Sequence, residues 1–147
     1  MDTSVKEVRV GNRTTISENA NLYKCHIGDD CKIHSYVYIE GEVKIGDGCK
    51  IKPFVFIPTG VTIGNNVFIG MGVVFTNDKY PRARGEWELL KTVVEDNVSI
   101  GANSTILPGI RIGRNSMIGA GSLVTKDVPE NCLVYGSPAK PVKSLDE

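Results

Sequence analysis

The sequence predicts an all-β fold, a solenoid of short parallel strands stacked coil upon coil. Three observations carry that expectation. An aliphatic residue falls on every sixth position through Ile27, Ile33, Ile39, Ile45, Ile51, Ile57, Ile63 and Ile69 to Phe75. The beat stops over Asn77 to Val93 and resumes, shifted in register, at Val94, Ile100, Ile106, Ile112, Ile118 and Val124. Four residues after each beat stands a small or β-branched residue, as at Cys31, Val37, Val55, Val73, Ser104 and Ser122. A period of six matches neither a 3.6-residue helix nor two-residue strand alternation. It fits short strands joined by corners, with equivalent positions stacked on one another.

Each hexad therefore reads as a strand and a corner. Its β-branched content favours strand over helix. Turn formers separate the apolar positions, as in Gly46-Asp47-Gly48, Gly64-Asn65-Asn66 and Gly113-Arg114-Asn115. Glycine and asparagine tolerate the positive φ that a sharp corner needs. Stacked coils exchange backbone hydrogen bonds about 4.8 Å apart, and none buries its apolar face alone. In chain order we expect an N-terminal cap over about Met1 to Val10 and a coiled body over about Gly11 to Pro129. A loop insertion interrupts the body at about 77–93, and a C-terminal cap closes it at about 130–147. Ile16 and Leu22 belong to the beat, but Leu22 to Ile27 is one residue short. In the closing cap, Pro138 and Pro141 cannot donate to a ladder, so the solenoid stops there.

Composition bounds the function. With 147 residues the chain has the size of one domain, and its formal net charge is zero. Nothing in that balance points to nucleic acid or an anionic membrane. No apolar run approaches membrane-spanning length, and the start lacks the apolar stretch of a secretory leader, so a cytoplasmic protein is expected. Cys31 and Cys49 occupy the same hexad position eighteen residues apart, and we expect stacked, reduced, buried thiols. No Cys-x-x-Cys pair exists, and His26 and His34 are the only histidines, both early in the chain. No metal site is expected.

Three stretches carry a resemblance. Phe75-Thr76-Asn77-Asp78-Lys79-Tyr80-Pro81-Arg82-Ala83 resembles the loop motif of enzymes that N-acetylate nucleotide-linked amino sugars, such as 3-amino sugars made for surface polysaccharides. Ile118 to Asp127 resembles the acetyl-CoA segment of hexapeptide-repeat acyltransferases, and Gly136-Ser137-Pro138-Ala139-Lys140 resembles their closing motif. The resemblance implies a left-handed parallel β-helix with three hexads per coil, hence about six coils here. It also implies homotrimers with active sites in the clefts between neighbouring rods, and acetyl-CoA as co-substrate.

Site residues follow from matched positions. Asn77 and Asp78 begin the loop; they read either as groups that orient a sugar amine or as turn residues that end a strand. The loop motif favours the first for Asn77 and leaves Asp78 balanced. Tyr80 and Arg82 are candidate contacts to the acceptor, an arginine being suited to a diphosphate. Arg84 and Trp87 read as loop surface, with the aromatic pinning the loop to a neighbour. Ala102, Ala120, Thr125 and Lys126 match positions that touch CoA, and Lys140 is a further phosphate candidate.

One departure matters. Many relatives carry a histidine in the turn before the loop motif, where this chain reads Ile69-Gly70-Met71-Gly72. Methionine takes no proton. A sugar amine, partly neutral near pH 7, attacks a thioester without a side-chain base, whereas a hydroxyl needs one. We therefore expect an acetyl-CoA-dependent N-acetyltransferase acting on a nucleotide-linked amino sugar, by direct attack. Sugar O-acetylation and a non-catalytic assembly module are the competing readings.

Overall fold

The computed structural model describes residues 3–146. Among them there is no helix, and most strands are two residues long. The strands stack into three parallel sheets of seven, six and eight strands, one on each side of a left-handed β-helix. The first sheet runs from Ser4–Lys6 to Leu123–Val124, the second from Arg9–Val10 to Arg111–Ile112, the third from Thr15–Ile16 through Cys132–Gly136 to Ala139–Ser144, its last strand being antiparallel. Three edges separate them. Edge 1 joins the first sheet to the second, edge 2 the second to the third, and edge 3 the third back to the first.

Packing explains the beat. Ile27, Ile33, Ile39 and their successors to Val124 are all at most 3% exposed and form one continuous core. Register keeps like over like: Ile27 pairs with Ile45, Ile33 with Ile51, and Ile39 with Ile57. Burying such a side chain contributes about 1.5–3 kcal/mol. The four-residue-later positions are buried as well, including Ser104, Ser116 and Ser122. Their hydroxyls donate to corner carbonyls, Ser122 Oγ to Gly119 O at 2.6 Å and Ser116 Oγ to Gly113 O at 2.6 Å. Cys31 and Cys49 do the same more weakly, each Sγ 3.1 Å from a glycine carbonyl in the next coil. They are stacked and unbonded, and all four cysteines are free and buried. Burial pushes the Cys25 thiol up to about 11. The contact with Cys31, together with burial, holds Cys49 well above its ordinary value.

Corners need one left-handed residue each. Gly48, Gly60, Gly72, Gly109 and Gly121 supply some, and Asn66, Asn97, Asn103 and Asn115 supply others. The N-terminal coils also place Arg13, Tyr36, Glu42 and Phe54 there, residues that turn propensity does not select. Edge 2 is braced by side chains. Asp29, Asp47, Asn65 and Asp96 each accept, through Oδ1, the backbone N–H of the residue one coil before, at 2.7–2.8 Å.

Three boundaries differ from the expectation. The first sheet has seven strands, so the rod has about seven coils rather than six. The extra coil comes from the region assigned to an N-terminal cap, where Ser4–Lys6 pairs with Asn21–Tyr23 and Arg9–Val10 with His26–Ile27. Its beat is hidden because these early coils advance by 17 residues, not 18. At the other end Cys132–Gly136 still pairs in parallel with Met117–Ile118, so the closing segment proper starts after Gly136. There Ala139–Ser144 turns back antiparallel, with Pro141 opposite Val134. Met1, Asp2 and Glu147 of the expected caps lie outside the described residues.

The insertion leaves from edge 1. Thr92–Val94 is already a strand, so the excursion ends two residues sooner than Val93. Its neck is tied in three ways. Leu90 N–H donates to Asn77 O at 3.1 Å, and Asp78 bridges Leu89. Asn77 Nδ2 donates to Thr59 O in the coil below at 3.0 Å. Leu89 and Leu90 lie over Gly60 and Gly109, where a Cβ on Gly60 would come within 2.8 Å of Leu89 Cδ2.

Ile100→Ala should lower unfolding free energy by about 2–5 kcal/mol in urea titration, with unchanged strand content. The four thiols should ignore a disulfide-exchange reagent in native buffer and react fully in guanidinium; rapid native reaction would contradict their burial. Asn77→Ala should cost about 1 kcal/mol and speed trypsin cleavage at Lys79, Arg82 and Arg84.

Candidate functional site

The structure distributes the candidate residues over three places. The loop forms a concavity of about 350 Å³ lined by Asp78, Lys79, Tyr80, Glu86, Trp87 and Leu90 among others. Tyr80 is 72% and Trp87 55% exposed, so both rings are available to something outside this chain. Lys79 Nζ lies 5.6 Å from the centre of the Tyr80 ring. Arg82 does not line the concavity; its guanidinium donates to Pro81 O at 2.9 Å. Trp87, loop surface by its sequence position, and Glu86, which no motif marks, both line the concavity. Only closure of the loop on itself, Asp78 against Leu89, puts them beside Asp78.

Asn77 sits at the root of this concavity with its polarity fixed. Because Nδ2 donates to the Thr59 carbonyl, Oδ1 is the end that remains to accept a hydrogen bond. That orientation suits an amine donor approaching the neck.

Edge 3 carries Met71, Ala102 and Ala120. In these later coils it is kept bare by a column of glycines, Gly70, Gly101 and Gly119. A Cβ on Gly70 would lie 2.7 Å from the Ala102 nitrogen, and one on Gly101 2.5 Å from the Ala120 nitrogen. Successive corners thus nest against each other, with Gly121 N–H donating to Ala102 O at 2.8 Å. The edge presents only methyl groups at Ala102 and Ala120, with Met71 49% exposed one coil before. A chain carrying amides can approach closely there.

The third place is at the C-terminal end. A cavity of about 550 Å³ is lined by Thr125, Lys126 and Lys140, with Val124, Val128 and Val134 among its apolar wall residues. Lys140 thus joins the neighbouring pair Thr125 and Lys126 in one cavity. Asp127 also lines it, but its Oδ1 accepts the Arg111 N–H at 2.9 Å. Apolar walls with two lysines fit a ligand that is part hydrocarbon and part phosphate. Ala102 and Ala120 are not part of this cavity; the first sheet separates edge 3 from edge 1, where Thr125 and Lys126 stand.

Of the histidines, His26 faces outward beside Lys44 on the second sheet, and His34 follows Ile33 at an edge 3 corner. Among the described residues no group of three His, Cys, Asp or Glu side chains is arranged to hold a metal ion. No helix there is long and apolar enough to cross a membrane.

Known proteins of this architecture bear on the site. The model of the bacterial transferase hexapeptide family (six repeats) matches residues 24–59, 43–77 and 91–126. The galactoside O-acetyltransferase of Lactococcus lactis subsp. lactis is 41% identical over 88 residues, 56% of this chain and 42% of that protein. The chain thus spans less than half the length of that relative. A hexapeptide-repeat acetyltransferase of Vibrio cholerae, solved with acetyl coenzyme A, superposes with a TM-score of 0.70 at 28% identity, covering 93% of this chain and 70% of the other. A mutant of AntD, an N-acyltransferase of Bacillus cereus solved with dTDP and coenzyme A, superposes with a TM-score of 0.84. It is 21% identical over 95% of this chain and 84% of its own, a likeness of fold. With its repeats matched over more than half its length, the chain belongs to the bacterial transferase hexapeptide family.

Proposed function

We propose that this protein is an acetyl-CoA-dependent N-acetyltransferase acting on the amino group of a nucleotide-linked amino sugar, with a 3-amino sugar favoured by the loop motif. The observation that carries the donor half is the C-terminal cavity, which collects Thr125, Lys126 and Lys140. Lys126 and Lys140 meet phosphate there as point charges. Ala102 and Ala120 let the pantetheine arm lie against backbone amides on edge 3. The Vibrio cholerae structure with acetyl coenzyme A supports a donor of this kind on such a rod.

The acceptor half rests on the loop. Asn77 Oδ1 accepts a hydrogen bond from the sugar amine and orients its lone pair, and Tyr80 and Arg82 contact the rest of the acceptor. Asp78, on the loop concavity, is a second group near the amine. The amine nitrogen attacks the thioester carbonyl; the C–N bond forms, the C–S bond breaks, and the departing thiolate takes the surplus proton. Met71 occupies the place of a base and takes no part in proton transfer. Positioning of this kind contributes on the order of 7–11 kcal/mol to lowering a barrier.

One rod does not complete the site. The loop leaves from edge 1, whereas Met71, Ala102 and Ala120 stand on edge 3. A rotationally symmetric trimer would bring the loop of one rod against edge 3 of the next, a head-to-tail contact that closes. We therefore propose a cytoplasmic homotrimer with shared active sites, serving the synthesis of a surface polysaccharide. The galactoside relative favours a second reading, O-acetylation of a sugar hydroxyl, with Asp78 as base.

Acetyl-CoA and a panel of 3- and 4-amino nucleotide sugars should release free thiol; no turnover with any of them would refute the N-acetyl reading. kcat/KM should rise with pH along the ionisation of the acceptor amine. Asn77→Ala should lower kcat at least tenfold without altering the sedimenting mass. Lys126→Gln combined with Lys140→Gln should weaken CoA binding in calorimetric titration about tenfold, with a shallower dependence on salt.

A further inference from the structure

Edge 3 carries an arrangement in its N-terminal half that the acetyl-transfer chemistry does not use. Tyr36 and Phe54 occupy equivalent corners of successive coils, and both adopt left-handed backbone, with φ of 62° and 66°. For bulky side chains this conformation is strained, and glycine or asparagine supplies it elsewhere in the same column, at Asn19, Gly72, Asn103 and Gly121. The strain holds two rings outward. They stack with centroids 5.3 Å apart and planes 9° from parallel, yet Tyr36 remains 49% and Phe54 57% exposed.

The stack is open at one end. Beyond Phe54 the next residue of the column is Gly72, which has no side chain to cover the ring. Asn103 overhangs that gap, its Oδ1 2.3 Å from where a Cβ on residue 72 would lie. A flat heterocycle slipped over Phe54 continues the stack and meets an amide at its far side.

Beside the stack lies uncompensated positive charge. Lys32 and Lys50 are direct neighbours across parallel strands, an arrangement that like charges disfavour. Lys52 stands two residues before Phe54, as His34 stands two before Tyr36. None of these lysines has an ion-pair partner among the described residues. Burial first, then the charges of Lys52, Lys50 and Lys32, lower the His34 pKa, which places all four groups in one electrostatic neighbourhood. Two buried side-chain atoms lack a hydrogen-bond partner among the described residues, His34 Nε2 and Asn19 Oδ1, and both flank Tyr36. Strained rings, adjacent like charges and unpaired buried polar atoms each cost stability, and all fall on one stretch of one edge.

We infer that this stretch of edge 3 is the docking site for the nucleoside diphosphate moiety of the acceptor, with its base stacked on Phe54 and its phosphates held by Lys50, Lys52 and Lys32. Base-on-ring stacking tolerates the identity of the base, and the lysines read charge rather than shape. The site lies on the same edge as Met71, Ala102 and Ala120, so donor and acceptor share one track along the rod. The inference rests on the acceptor being a nucleotide-linked sugar, as proposed above. Coenzyme A also contains a nucleoside diphosphate, so its binding must be measured separately.

The test titrates UDP, dTDP, GDP, pyrophosphate and CoA by calorimetry into the parent protein and two variants. Phe54→Asn removes the ring and keeps a residue suited to positive φ, so its melting temperature should be no lower than that of the parent. It should weaken the best nucleoside diphosphate at least about tenfold while leaving pyrophosphate and CoA unchanged. Lys50→Gln with Lys52→Gln should weaken both the nucleotide and pyrophosphate, most at low salt. Unchanged nucleotide affinity in Phe54→Asn overturns the inference, as does weakened CoA binding alone, which would assign the stretch to the donor. Loss of subunit association with nucleotide affinity intact also overturns it and makes the edge a contact between copies. If CoA binds and none of the three nucleotides does, this site is refuted while the acyltransferase reading stands.

Discussion

Everything in this rod depends on backbone hydrogen bonds passing from one coil to the next in strict register. The strands are too short to be stable as pairs, since most contribute two residues. They persist because each coil is bonded above and below, as Gly46 N–H is to Ile63 O and Gly64 N–H is to Val94 O. That ladder forces like over like, and so fixes which side chains line each edge. The aliphatic core, the bare glycine column and the stacked rings are all consequences of one repeated translation.

The repeat was readable because burial and register act on the same positions. Ile27 to Val124 mark the inward face without exception, and the interruption after Phe75 marks the loop. Legibility fades where the coil length changes. The first coils advance by 17 residues, and Glu7, Arg13 and Lys24 take corner positions in place of glycine, so the sequence there resembles a cap. The ladder overrides local propensity at these corners because neighbouring coils fix the backbone from both sides.

The candidate site was readable only in part, for a different reason. Ala102 and Ala120 are eighteen residues apart and their stacking follows from the period. The meeting of Thr125 and Lys126 with Lys140 does not, because it requires the final strand to reverse direction after Gly136. Likewise Trp87 joins Asp78 only because the loop closes on itself. Met71 is the reverse case, plain in the sequence and exposed in the fold, in a column continued by Ala102 and Ala120.

The neck of the insertion has a consequence for how such a protein can diversify. Val61 pairs with Thr92 and Val74 with Thr105, so the flanking coils close as though thirteen intervening residues were absent. The scaffold does not register what hangs from that seam. Residues between Asp78 and Leu89 are therefore exchangeable as a cassette, and a lineage can retune acceptor choice there while the stacked coils, and whatever they hold, are inherited unaltered.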